Sequence, residues 1–158
     1  VINGSPGGAN QRHLWYEGIS TSSDFDMMAH VYGDVTGLAS SGVGIMAYEN
    51  ATSKWISMEL TSSGLSYNAG TAGLNGARSG VLTATAYTIL PNVFIRIRRV
   101  GANMYVYYSS NGKNWVQWST FTTTSRFTTG PDRVGLFWLC ERTTGPDLNL
   151  TCDYYSRT

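Results

Sequence analysis

Residues 92–121 read NVFIRIRRVGANMYVYYSSNGKNWVQWSTF, and their alternation decides the fold. Two turn signals, Gly101-Ala102 and Asn111-Gly112, divide the stretch into alternating runs. Asn and Gly tolerate the positive φ of a tight hairpin, so the stretch predicts a three-strand antiparallel meander. Closing the first loop on Gly101-Ala102 sets Ile97 against Val106 and Ile95 against Tyr108 on one face. The same closure sets Arg98 against Tyr105 and Arg96 against Tyr107 on the other. Closing the second loop on Asn111-Gly112 places Trp115 with the first set, and Val116 and Trp118 with the second. One face is oily and needs a cover; the other carries Phe94, arginines and aromatics.

The flanks extend the pattern. Residues 25–35 alternate, with Phe25, Met27, Ala29 and Val31 on one side and Asp26, Met28, His30 and Tyr32 on the other. Residues 43–50 put Val43, Ile45 and Ala47 inward and Met46 and Tyr48 outward, and residues 54–64 put Ile56, Met58 and Leu60 inward and Trp55, Ser57 and Glu59 outward. Short strands are expected near 65–69 and 81–87 with a loop between them. VGLFWLC (134–140) and LNLTCDYYS (148–156) read as a closing hairpin around Thr143-Thr144-Gly145-Pro146-Asp147, with Leu136 and Trp138 in the core. Residues 1–12 are turn formers and polar residues, read as an irregular lead-in, and HLWYEGISTSS (13–23) suits an edge strand or a loop with Trp15 as a lid on the core. No period of 3.6 persists. With a turn about every 8–12 residues, the chain predicts an all-β, two-sheet antiparallel sandwich of the jelly-roll kind.

At 158 residues the chain fits a single domain, 1–158, that buries roughly two thirds of the surface its unfolded chain exposes. A net charge of +1 gives no electrostatic footprint for nucleic acid or an anionic membrane. No apolar run approaches the roughly 20 residues of a membrane span. The chain begins at Val1, which suggests a piece of a longer protein. Cys140 and Cys152 flank the expected last hairpin, where a cross-strand disulfide and two buried thiols are both open. Three sequons, at Asn3, Asn50 and Asn149, lean slightly toward an extracellular setting.

Catalytic chemistry is sparse. His13 and His30 are the only histidines, no Gly-x-Ser-x-Gly elbow or phosphate-cradling glycine loop occurs, and no Cys/His set has metal-ligand spacing. Sandwich glucanases place acidic residues two apart on one strand, whereas Glu17, Glu49, Glu59 and Glu141 each lack an acidic residue two positions on. Asp24 and Asp26 fit the start of a strand better than a catalytic pair.

The aromatic and arginine face suits sugar, whose C–H side rests on an aromatic ring while planar polar groups take the hydroxyls. Trp55, Tyr105, Tyr107 and Trp118 are the expected platforms, with Glu59, Arg96, Arg98 and Asn114 as hydrogen-bonding partners. The competing use of the same residues is packing, with Arg96 and Arg98 paired to Glu59 to cover a sheet. A third use is an interface with another domain or subunit.

FIRIRRVGANMYVYYSSNGKNWVQ (94–117) resembles the W-x-R-x-R-R-x-G-x-x-x-x-x-x-Y-S-x-D-G-x-x-W signature of concanavalin A-like lectin/glucanase domains, especially the small DUF1349-type or laminin-G-like modules of bacterial glycosidases and surface proteins. VGIMAYENATSKWISMEL, RVGLFWL and LTCDYYSRT resemble the flanking strands, so the likeness covers residues 25–158. Asn111 stands where the pattern has a turn Asp, and Cys152 where it has a core aromatic. The resemblance implies a jelly roll that binds a polysaccharide or glycan, without an organic cofactor and in some members with structural calcium. The resulting expectation is a non-catalytic carbohydrate-binding module of an extracellular or virion-surface protein. A receptor-binding or oligomerisation domain of a phage tail fibre stands second, and a glycoside hydrolase third.

Overall fold

A computed structural model describes residues 2–4, 11–33, 42–61, 64–71, 92–140 and 148–158, with side chains described at 14–33, 42–61, 64–71, 92–138 and 157–158. In chain order the strands are β1 (Ile2–Gly4), β2 (Gln11–Gly18), β3 (Phe25–Gly33), β4 (Gly42–Glu49), β5 (Lys54–Thr61), β6 (Gly64–Gly70), β7 (Asn92–Val100), β8 (Asn103–Ser109), β9 (Val116–Thr122), β10 (Arg133–Cys140) and β11 (Leu148–Arg157). A short 3-10 turn, Thr123–Ser125, follows β9. The strands form a six-stranded sheet, β1-β11-β3-β7-β8-β9, and a five-stranded sheet, β2-β10-β4-β5-β6, with every pairing antiparallel. This is the two-sheet sandwich that the alternation predicts.

The core lies between the sheets. Met27, Ala29 and Val31 of β3, Val93, Ile95 and Ile97 of β7, and Met104 and Val106 of β8 face Ile45, Ile56, Met58, Leu60 and Leu65 of the other sheet, all fully buried. Each of these side chains other than Ala29 contributes about 1.5–3 kcal/mol by leaving water. Trp138 of β10 joins this cluster as the sequence predicts. The outward side of the five-stranded sheet holds a second cluster, in which Met46, Tyr48, Trp55 and Phe137 pack together with Leu14. β4 and β5 are consequently buried on both faces, Lys54 excepted.

Several details differ from the sequence reading. The lead-in is not wholly irregular, because Ile2–Gly4 pairs with β11 and Gln11–Gly18 with β10; residues 5–10 lie outside the described residues. The strand expected near 81–87, and the loop before it, also lie outside them. β10 and β11 form no hairpin: β10 pairs with β2 and β4 in one sheet, while β11 pairs with β1 and β3 in the other. The register sets Cys140 against Gln11 and Cys152 against Val31, so the two cysteines are not cross-strand neighbours. Their side chains lie outside the described residues. Trp15 is no lid, being 78% exposed on the edge strand β2. Among the described residues no helix is long and apolar enough to cross a membrane.

Candidate functional site

The first hairpin has the register its turn dictates, with Ile95 against Tyr108, Arg96 against Tyr107, Ile97 against Val106 and Arg98 against Tyr105. Gly101 turns at φ +56°. β3 flanks β7 on the other side and brings Asp26 opposite Arg98, Met28 opposite Arg96 and His30 opposite Phe94. The outward face of the six-stranded sheet thus presents Asp26, His30, Phe94, Arg96, Arg98, Tyr105 and Tyr107 together.

Arg96 is its centre. Its guanidinium donates to Asp26 twice, from Nε to Oδ1 at 2.7 Å and from Nη2 to Oδ2. These hydrogen bonds raise the Arg96 pKa above its ordinary value; partial burial opposes them, and the charges of Asp26 and Tyr107 reinforce them. The same guanidinium lies over Tyr107 and over Trp115, 5.5 Å from each ring centroid. Cation–π contacts of this kind contribute about 0.5–1 kcal/mol at exposed sites. Tyr105 and Tyr107 lie 6.3 Å apart with their planes only 22° from parallel, which makes two adjacent flat rings. At the far end His30 stacks on Phe94 at 4.1 Å and hydrogen-bonds Asn92.

The second turn decides which tryptophan reaches this face. Asn111 Oδ1 accepts from the backbone N–H of Lys113 and of Asn114, both at 2.9 Å, and Ser109 Oγ accepts from Gly112 N at 3.0 Å. Gly112 has φ +69°, and a Cβ there would press on the Phe94 ring at 3.0 Å. The loop is one residue longer than a turn closed on Asn111-Gly112, so Tyr108 pairs with Val116 rather than Trp115. A further register shift lies between Val106, opposite Ser119, and Tyr107, opposite Gln117, leaving Trp118 as the extra residue. One inserted residue reverses the facing of everything beyond it. Trp118 therefore packs against the core, edge-on to Tyr108 at 5.8 Å, and Trp115 takes the outward position beside Arg96.

The expected site residues accordingly divide. Arg96, Arg98, Tyr105 and Tyr107 share one face. Asn114 is exposed in the loop, its N–H committed to Asn111. Trp55 and Glu59 sit on the opposite sheet, Trp55 2% exposed in the second cluster and Glu59 1% exposed beside Asn68 and Ser66, whose hydroxyl donates to Glu59 at 3.3 Å. Glu59 is too remote to pair with Arg96 or Arg98; Asp26 fills that role. Asp26 and Trp115 are the members that sequence reasoning missed. The alternation of β3 put Asp26 on a polar face, but only pairing across some seventy residues shows which strand that face joins. Asp24, its neighbour, accepts from Gly101 N at 2.7 Å, so both aspartates serve the sheet. Among the described residues no group of three or more His, Cys, Asp or Glu could hold a metal ion, and the calcium implied by the resemblance finds no fitting ligand set there.

No family model matches the chain. No curated protein matches it either. Solved structures do. A Saccharomyces cerevisiae protein described as functionally unknown is 19% identical, with a TM-score of 0.61 over 89% of this chain and 72% of its own. A xylan β-1,4-xylosidase from Bacillus halodurans C-125 is 18% identical, with a TM-score of 0.62 over 85% of this chain but 27% of its own. Sheep galectin-11, in complex with glycerol, is 7% identical, with a TM-score of 0.51 over 92% of this chain and 97% of its own. The chain shares their β-sandwich, jelly-roll fold. It spans only about a quarter of the xylosidase's length.

Proposed function

We propose that this chain is a non-catalytic, lectin-like carbohydrate-binding module of the concanavalin A-like kind, working within a larger extracellular or virion-surface protein. The observation that carries the reading is the platform around Arg96: a guanidinium held by Asp26 between Tyr107 and Trp115, with Tyr105 beside it. Adjacent flat rings accept the apolar sides of successive sugars, and fixed guanidinium N–H groups donate to hydroxyl oxygens. The hydrogen bonds to Asp26 keep Arg96 from collapsing onto the ligand position, so little ordering is needed on binding. Two fold neighbours, a xylosidase and a galectin, belong by name to carbohydrate chemistry, which supports the same reading.

The test is a glycan array followed by titration of the best ligand. Trp115→Ala and Tyr107→Ala are each expected to weaken binding about tenfold or more, equivalent to about 1.4 kcal/mol, while leaving the melting temperature within a few degrees. Trp118→Ala is expected to behave in the opposite way, losing about 2 kcal/mol of stability because its contacts are with the core. Wild-type protein that binds no glycan would overturn the reading.

A second reading rests on β2. Trp15 at 78% and Tyr16 at 49% exposure are consecutive on β2, the outermost strand of the five-stranded sheet among the described residues, where a backbone edge and large apolar side chains favour contact with another chain. An assembly role predicts self-association that Trp15→Ser abolishes, read by light scattering.

A further inference from the structure

The platform carries one more cation than its acid can neutralise. Asp26 offers two oxygens and Arg96 takes both. Arg98, one pleat along β7 and cross-strand from Tyr105, has its Nε 3.6 Å from Asp26 Oδ2, beyond hydrogen-bond reach, and its side chain is 46% exposed. Its companion Arg99 is spent differently: it is 7% exposed and donates to the carbonyls of Gly101, at 3.0 Å, and of Thr21. Asp24 is anchored to the N–H of Gly101. Arg98 is thus the guanidinium of this face that two acceptor oxygens could still fill, at the rim of a ≈ 280 Å³ cavity between Asp24, Asp26 and Val100.

We propose that Arg98 recognises a carboxylate, so that the preferred ligand is a glycan bearing uronate groups; this rests on the carbohydrate reading above. A guanidinium presents two parallel N–H donors that match a planar carboxylate, and charge-assisted hydrogen bonds are roughly twice as strong as those to a neutral hydroxyl. Arg96 offsets Asp26, and Arg99 and Asp24, which line the same cavity, are opposite in sign, so the balance of these five groups near Tyr105 is the single positive charge of Arg98. A uronate ring stacked on Tyr105 would place its carboxylate over β7, toward the residue directly opposite that tyrosine.

The experiment is calorimetric titration of the wild type, Arg98→Gln and Tyr107→Ala with oligogalacturonate and with a xylo-oligosaccharide of equal length. The wild type is expected to bind the uronate chain about tenfold tighter, with the advantage shrinking at high salt. Arg98→Gln is expected to weaken uronate binding several-fold more than neutral binding, so that the two affinities fall within about twofold, and Tyr107→Ala to weaken both alike. Because Arg98 is half exposed, an unchanged melting temperature confirms that its variant is folded. Equal binding of the two chains by the wild type, or an acidic preference that survives Arg98→Gln, overturns the proposal and leaves the carbohydrate reading standing. Failure to bind either chain overturns the uronate proposal, and the glycan array decides the carbohydrate reading separately.

Discussion

Glu49→Gln is expected to lose about 3 kcal/mol of stability at neutral pH, together with the acid sensitivity that Glu49 itself confers. Glu49 ends β4, is 1% exposed and has a full set of donors. Oε1 accepts from Thr129 N at 2.6 Å, Thr129 Oγ1 at 2.8 Å and Gly130 N at 3.1 Å, while Oε2 accepts from Thr128 N at 2.9 Å and from the Thr52 hydroxyl. Burial by itself raises the pKa, but the hydrogen bonds from Thr128, Thr52, Thr129 and Gly130 outweigh it and bring it from the ordinary 4.5 to about 2. Glutamine offers one acceptor oxygen and turns an NH2 toward backbone N–H groups, so either half of the clamp is lost. Because the folded pKa is depressed, the stabilisation is complete above the ordinary carboxylate pKa and disappears as pH falls from 4.5 to about 2. Urea melts at pH 7 and at pH 3 would read both effects. A variant as stable as the wild type at pH 7, or as acid-sensitive, would show that the clamp is not what fastens residues 128–130 to the end of β4.

Gly44→Ala is expected to cost more, about 4 kcal/mol, and to lower the melting temperature by roughly 10 °C. Gly44 lies on β4 opposite Glu59 of β5, where the two strands approach so closely that a Cβ would overlap the carbonyl oxygen of Met58 and sit 2.8 Å from the Glu59 Cα. Both obstacles are backbone in a sheet buried on both faces, so relief requires moving a strand rather than turning a side chain. Gly18→Ala, at a position where a Cβ meets nothing within 4 Å, supplies the control and is expected to lie within about 0.5 kcal/mol of the wild type. Differential scanning calorimetry of the two variants separates the effect of close approach from a general cost of replacing glycine. A Gly44→Ala protein that melts with the Gly18→Ala protein would mean that the sheet yields at this point.

Local pattern carried the sandwich a long way. Period-two alternation in 25–33, 43–49, 54–61 and 93–106 named the residues that meet in the core, because a strand buried on one side shows its facing in its own sequence. It was weaker for β5, where Trp55, Ser57 and Glu59 alternate as an outward set yet are buried, since a sheet covered on both sides keeps its alternation without keeping its exposure. The platform was legible in Arg96, Arg98, Tyr105 and Tyr107, which a tight turn holds in register. It was not legible in Trp115 and Trp118, whose facing depends on a loop one residue longer than the Asn-Gly signal suggests and on a bulge with no local signature. Nor was it legible in Asp26, which joins Arg96 through a pairing between distant strands, or in the sheet change between β10 and β11 that separates Cys140 from Cys152.

The exchange of Trp115 and Trp118 also gives the protein an optical asymmetry. Of the five tryptophans, Trp55 and Trp138 are buried, Trp118 rests against the core, Trp115 lies under a guanidinium on the platform, and Trp15 stands in water on an edge strand. Acrylamide added to the native protein will therefore quench Trp15 first. In a Trp15→Phe background, a glycan bound as proposed is expected to change the emission of Trp115, which lies under Arg96 on the outward face. Denaturation, by contrast, will be reported by Trp55, Trp118 and Trp138, so binding and unfolding can be followed as separate colour changes in one cuvette.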